Sequence, residues 1–224
     1  MKKMKITALL LGGTILLGSC GTMNNTTKGG IIGGGSGAAA GAIIGGLLGK
    51  GKGAAIGAAI GAAVGTGTGV AIGRKMDKKA AEAAKIEGAQ VEQVTDVNGL
   101  PAVKVAFDAG ILFGFNSSAL SNNAKSSLRE LAQILKEDAT TDIAIIGHTD
   151  KVGSYDANVK VSNNRAYAVE NYLQSCGVSP AQFKKVQGVA YDQYDESKTA
   201  AQNRRVEVYL YASEQMIKNA ESAN

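Results

Sequence analysis

Asp150 and Arg165 are the two side chains of this 224-residue chain whose chemistry and spacing call for a ligand. A carboxylate takes an ammonium and a planar guanidinium fork takes a carboxylate, so the pair suits a zwitterion. Their simplest competing use is a salt bridge to each other. Catalysis is not expected. His148 is the single histidine, and a hydrolytic triad built on it needs Thr149, Ser154 or Ser162 as nucleophile, none of which lies in a nucleophile elbow. One histidine, two cysteines and scattered carboxylates supply no closed metal shell, so neither metal nor cofactor is expected. The formal net charge of +5 is mild, the lysines are dispersed and tryptophan is absent, which gives nucleic acid no platform.

The elements that must hold these residues follow from local pattern. Ile143 to Ile146 is too short for a helix and rich in β-branched residues, so it reads as a buried strand ended by Gly147. Asp150 then lies just past the C-terminal edge of that strand, where open α/β sheets gather ligand contacts. After a loop with Gly153 and Asn158, Ser162 reads as a helix N-cap, and Ala166, Val169, Leu173 and Cys176 form the apolar stripe of a helix from Asn163. That puts Arg165 in the first turn, where a cation opposes the helix dipole and should face an anion.

Three motifs in order carry a resemblance. Phe113-x-Phe115 with Leu120, then Gly147-His148-Thr149-Asp150 with Asn158 and Ser162-x-x-Arg165-Ala166, then Asn203-Arg204-Arg205-Val206-Glu207-Val208 resemble the OmpA-like peptidoglycan-binding modules over roughly the C-terminal half of the chain. The resemblance implies that Asp150 takes the ammonium of diaminopimelate in the peptidoglycan stem and Arg165 its carboxylate. Thr149 and Asn158 would orient the loop and donate hydrogen bonds, and Arg204 would be a further ligand contact. It also implies a mixed sheet with helices on one side. The chain departs from the family pattern at Val161, at Asn116 and in the short loop between Tyr191 and Asn203, which lacks the usual Pro and Gly-Arg pair. That loop weakens the expectation for Arg204 more than for Asp150 or Arg165.

The N-terminus reads as a lipoprotein signal over residues 1–19. Lys2, Lys3 and Lys5 precede an apolar core from Ile6 to Leu17, and Leu17-Gly18-Ser19-Cys20 resembles a bacterial lipobox. Cys20 would then carry covalent lipid, each buried CH₂ adding about 0.8 kcal/mol of membrane affinity. Residues 20–28 form a polar tether, and Gly21 is permissive for export to the outer membrane. Cys176 is left unpaired, as a small core residue.

From Gly29 to Gly73 a glycine recurs at every fourth position. Glycine at this density weakens a helix in water by roughly 1 kcal/mol per residue against Ala, so packing must compensate. A glycine face lets helices approach closely, and the segment resembles a glycine zipper. Lys50-Gly51-Lys52 divides it into a hairpin of two helices of about 20 residues, each just able to cross a bilayer. The apolar residues of its first arm, Ile31, Ile32, Ile43, Ile44, Leu47 and Leu48, offer only ~2–4 kcal/mol, so insertion alone is marginal and a flexible linker is the competing reading. Arg74, Lys75, Lys78 and Lys79 form a basic cluster suited to headgroups, opening a helical linker over 74–90.

The α/β domain is expected over 91–213, followed by a polar tail over 214–224. Asn98-Gly99 signals a hairpin between strands Val91–Val97 and Leu100–Phe107. Ser121 caps a helix whose Ala124, Leu128, Leu131, Ala132 and Leu135 share one face. Val206, Val208 and Leu210 alternate with Glu207, Tyr209 and Tyr211 in a closing strand, completing a β-α-β-α-β order. The expected function is a non-catalytic outer-membrane lipoprotein with its folded domain in the periplasm, tethering membrane to peptidoglycan. The alternative is a wall-anchored component of an oligomeric glycine-zipper complex or pore. An ion-driven stator is disfavoured, because Gly29 to Gly73 contains no Asp or Glu.

Overall fold

The two-residue period along β2 (Pro101–Asp108) sends Val103, Val105 and Phe107 to one face of a sheet and Ala102, Lys104 and Ala106 to the other. The same period in β5 (Arg205–Ala212) separates Val206, Val208 and Leu210 from Glu207, Tyr209 and Tyr211. With β1 (Ala89–Thr95), β3 (Thr141–Gly147) and β4 (Phe183–Gly188), these strands form a five-stranded mixed sheet ordered β1-β2-β5-β3-β4. Only β3 and β4 run parallel. The computed structural model describes residues 67–96, 99–114 and 117–223. The signal segment, Cys20, the tether, the glycine repeat through residue 66, Asn98, Phe115 and Asn116 lie outside the described residues.

Local chemistry explains each element. Asp96 closes the β1–β2 hairpin by accepting the Leu100 N–H on its side chain at 2.8 Å, and Gly99 takes the left-handed conformation (φ +76°) that the turn requires. Ser121 accepts the Ala124 N–H and starts α3 (Asn122–Lys136), whose Leu128, Leu131 and Leu135 are fully buried. Each such side chain contributes about 1.5–3 kcal/mol by leaving water. α4 (Tyr155–Ser175) packs over β3 and β4. A four-residue α2 (Ala109–Leu112) links β2 to the loop before α3, and α5 (Ala200–Asn203) precedes β5. Cys176 caps α4 as a free, half-buried thiol.

The structure departs from the sequence expectation in α4 and in the sheet. Ser154, not Ser162, caps α4 by accepting the Ala157 N–H. Ser162 is buried inside the helix, so Arg165 sits in the third turn and the dipole argument for it does not apply. The first two turns of α4 are mostly exposed and polar, which leaves no apolar stripe to reveal them. The parallel strand β4 is additional to the β-α-β-α-β order, its Phe-Lys-Lys-Val-Gln-Gly sequence lacking clean alternation because it lies at the sheet edge.

The folded unit also reaches beyond 91–213 at both ends. α1 (Gly67–Ala83) buries Ile72, Met76, Ala80 and Ala83 in the main core, and α6 (Glu214–Ser222), capped by Ser213, adds Met216, Ile217 and Ala220 beside it. Gly73 lies against Pro101 at the hairpin end of the sheet, and at the opposite end Ser127 Oγ donates to the Glu87 carbonyl at 3.0 Å. Of the basic cluster, Arg74, Lys75 and Lys78 are exposed and Lys79 is buried. Lys75 pairs with Asp138 and Lys78 with Glu137, each at 3.0 Å, while the buried Lys79 donates to the Ile134 carbonyl at 3.3 Å. These cations suit the C-terminal end of α3, where the helix dipole is negative. Burial draws the Lys79 pKa below its ordinary value. Among the described residues no helix is long and apolar enough to cross a membrane.

Candidate functional site

Two glycines bring the site together. A Cβ on Gly147, the last residue of β3, would lie 2.2 Å from the Ser162 carbonyl oxygen, and one on Gly188, the last of β4, 2.1 Å from the Asn163 backbone nitrogen. Only glycine admits α4 this close to the strand ends. Asn163 Oδ1 accepts the Gly188 N–H at 2.8 Å, and Ser162 Oγ accepts the Ala190 N–H at 3.1 Å. Ala190 is held in the left-handed region (φ +48°), a conformation costing an L residue about 1–2 kcal/mol, by that bond and by the Thr149 N–H donated to its carbonyl at 2.8 Å. The third turn of α4 is thereby brought to the end of the sheet from which the β3–α4 loop departs.

Asp150 stands in that loop with its side chain 13% exposed. Its Oδ1 accepts the Val152 N–H at 3.1 Å, and its Oδ2 accepts from Arg204 Nη1 at 2.5 Å. Asn158 is buried and donates to the Val152 and Ser154 carbonyls at 2.9 and 3.1 Å, bracing the loop from α4. Thr149 is also buried; its N–H is held by Ala190, and its hydroxyl has no hydrogen-bond partner among the described residues.

Arg165 is 8% exposed. Its Nε donates to the Ser117 carbonyl at 3.2 Å and its guanidinium carbon lies 5.2 Å from the Phe113 ring centroid, a cation–π arrangement. Among the described residues it makes no ion pair. Burial draws its pKa below the ordinary guanidinium value, the nearby Arg204 acts in the same direction and Asp150 opposes both. An arginine nonetheless remains charged in proteins, so Arg165 presents near Asp150 a buried cation that has no ion pair among the described residues.

The carboxylate partner that Arg165 lacks is taken by Arg204. The side chain of Arg204 is 41% exposed, and its residue caps α5 at the end of the β4–β5 loop. Asn203 organises that loop from a fully buried position: its Oδ1 accepts the Asp195 N–H at 2.8 Å, and its Nδ2 donates to the Asp195, Lys198 and Thr199 carbonyls at 3.0, 3.3 and 3.0 Å. A second strap joins the two loops. Lys151 donates to Glu196 and lies 4.5 Å over the Tyr194 ring, while Tyr155 donates to Asp192 at 2.9 Å and packs edge-on against Tyr191 at 5.4 Å.

Asp150, Arg165 and Arg204 thus share one corner, with Asn158 and Thr149 beneath them. Sequence pattern did not reveal Phe113 and Ser117 as the holders of Arg165, nor Asn203 as the loop's anchor, because these contacts join segments distant in sequence. His148 turns elsewhere. It is 1% exposed, with Nε2 at 3.2 Å from Glu207 Oε2, which also accepts from Tyr209 at 2.6 Å. Arg205 Nε donates to the other Glu207 oxygen at 2.7 Å. Burial opposes charge on Glu207, but the His148 and Tyr209 hydrogen bonds and the Arg205 guanidinium outweigh it and hold the carboxyl well below its usual range. Burial also draws the His148 pKa down. A ring so enclosed braces the ends of the interior strands β3 and β5 and has no opening to a substrate.

Comparison with known proteins agrees with this architecture. The OmpA family model matches residues 112–207, and a YMGG-like Gly-zipper model matches residues 1–77. Outer membrane protein A of Bordetella avium is 32% identical over 131 residues, 57% of this chain and 68% of that protein. A peptidoglycan-associated lipoprotein of Pseudomonas aeruginosa is 38% identical over 101 residues, 43% of this chain and 58% of that protein. The chain spans only 31% of outer membrane porin F of the same species, at 33% identity over 115 residues, or 50% of this chain. The crystal structure of a putative MotB like protein from Desulfovibrio vulgaris shares the fold, with a TM-score of 0.55 at 23% identity over 64% of this chain and 96% of that one.

Proposed function

Since this chain belongs to the OmpA family, we propose that it is a non-catalytic lipoprotein of the cell envelope, tethering a membrane to peptidoglycan through the diaminopimelate of the stem peptide. The observation that carries this reading is the cation at Arg165: a buried guanidinium with no ion pair among the described residues, near an acid that is itself nearly enclosed. A buried cation so placed is stabilised by an incoming carboxylate, and Asp150 takes the ammonium next to it. Asn158 keeps the Asp150 loop in register, and Phe113 and Ser117 fix the plane of the Arg165 fork. The lipoprotein and outer-membrane relatives support an envelope location. Lipid on Cys20, the outer membrane as the anchored bilayer and self-association through the glycine zipper complete the proposal.

The test is sedimentation of the full chain, in detergent, with purified diaminopimelate peptidoglycan. Wild type should co-sediment. Asp150→Ala and Arg165→Ala should each lose ~2–5 kcal/mol of binding, about thirtyfold or more. Circular dichroism and thermal melting separate loss of binding from loss of fold. Retained co-sedimentation by both folded variants would overturn the reading.

A further inference from the structure

The corner around Asp150 holds one carboxylate and two guanidiniums, those of Arg165 and Arg204. Resting on the wall-binding reading, the geometry points to Arg204 as a resident counter-ion: it occupies the Asp150 oxygen that a ligand ammonium must take, and on yielding it turns to a second carboxylate of the ligand. The site therefore selects a stem peptide carrying one ammonium and two carboxylates over one carrying a simple zwitterion.

The two oxygens of Asp150 are not equivalent. Oδ1 is committed to the Val152 N–H, which shapes the loop, and Oδ2 faces Arg204. With the side chain only 13% exposed, Asp150 has little surface on which to accept a second cation. An arriving ammonium must displace Arg204. Arg165 cannot make way in its place, because the Ser117 carbonyl and the Phe113 ring hold its guanidinium in the interior. Arg204 can. Its side chain is 41% exposed, so water can solvate the guanidinium when it leaves Asp150.

The consequence is a matter of charge. Once Asp150 is matched by the ligand ammonium, the buried Arg165 needs an anion and the displaced, half-exposed Arg204 gains from a second one, so a ligand that provides two is favoured. The acids on the facing loop do not substitute, since Glu196 is engaged by Lys151, Asp192 by Tyr155 and Asp195 by Lys198 and Ser197. A stem peptide supplies the first carboxylate at the distal centre of diaminopimelate, next to the ammonium. The second is a free main-chain carboxylate, of diaminopimelate itself or of the preceding glutamate, and amidation of these groups removes it.

Calorimetric titration of the full chain in detergent tests this with two probes. One is N-acetylated L-Ala-γ-D-Glu-meso-diaminopimelate with all carboxylates free; the other is the same tripeptide amidated everywhere except at the distal centre. Wild type should prefer the free acid by about 5- to 30-fold. Arg204→Gln should reduce that preference to under about twofold while binding the amidated probe at least as tightly as wild type does, because Asp150 no longer has a competitor. Arg165→Ala should lose both probes. A preference that survives in Arg204→Gln, or an equal loss of both probes in that variant, overturns the inference while leaving the wall-binding reading standing, as does equal affinity of wild type for the two. Failure of wild type to take up either probe overturns both.

Discussion

Two arginines flank Asp150, and they are held in opposite ways. Arg165 projects from the third turn of a long helix pressed onto the sheet through Gly147 and Gly188, with a carbonyl and an aromatic ring fixing its guanidinium. Arg204 projects from the corner of a loop, half in solvent, its charge met among the described residues by Asp150. In the proposed site, the difference separates two tasks. A fixed charge sets where the ligand sits, and preorganisation keeps its ordering cost low. A movable one keeps the acid neutralised until a better cation displaces it.

Three substitutions should break this contrast, each in its own place. The largest effect is expected from Gly188→Ala, whose Cβ would collide with the Asn163 backbone. Neither backbone can shift without disturbing β4 or α4, so the domain should lose ~3 kcal/mol or more in chemical denaturation, and Arg165 its fixed position. A melting curve like that of wild type would show that α4 is not pinned as described. Asn203→Ala comes next. It leaves the Asp195 N–H and three carbonyls without their buried partner, and should lower stability by ~1–3 kcal/mol while increasing hydrogen exchange across 192–204 and sparing α4. Equal exchange in both regions would erase the distinction between them. The smallest effect belongs to Arg204→Gln, whose part-buried pair with Asp150, half open to water on the arginine side, should change the unfolding free energy by no more than ~0.5–1 kcal/mol after allowance for solvent screening. A larger drop would make Arg204 a structural residue.

Much of this was legible in the sequence where a single segment carries its own signal. The Ser121 cap, the Leu128, Leu131 and Leu135 stripe, and the alternation in Val206 to Tyr211 each point to the element that forms. Ser162 was misleading for a physical reason: a small hydroxyl residue is needed where helix backbone touches strand ends, and it looks the same as a cap. In α1, Ile72, Met76, Ala80 and Ala83 make an apolar stripe, but the glycine period and the lysine cluster running through the same residues point to a membrane instead. Asp150 and Arg165 emerged from motif and spacing. The partnership of Asp150 with Arg204 could not, because the two lie 54 residues apart and only the folded loops decide which arginine meets the acid.

The placement of α1 has a mechanical consequence. The chain arrives at the hairpin end of the sheet, where Gly73 meets Pro101, whereas Asp150 and Arg204 lie past the other end, beyond Gly147 and before Arg205. In a tether pulled between a bilayer and a wall, tension would run along the strands. It would load the β2–β5 and β5–β3 ladders in shear, all rungs resisting together, whereas a pull across the strands would open them one at a time. The same axis would draw α1 lengthwise through its seat of Ile72 and Met76, with the Lys75–Asp138 and Lys78–Glu137 pairs resisting the slide.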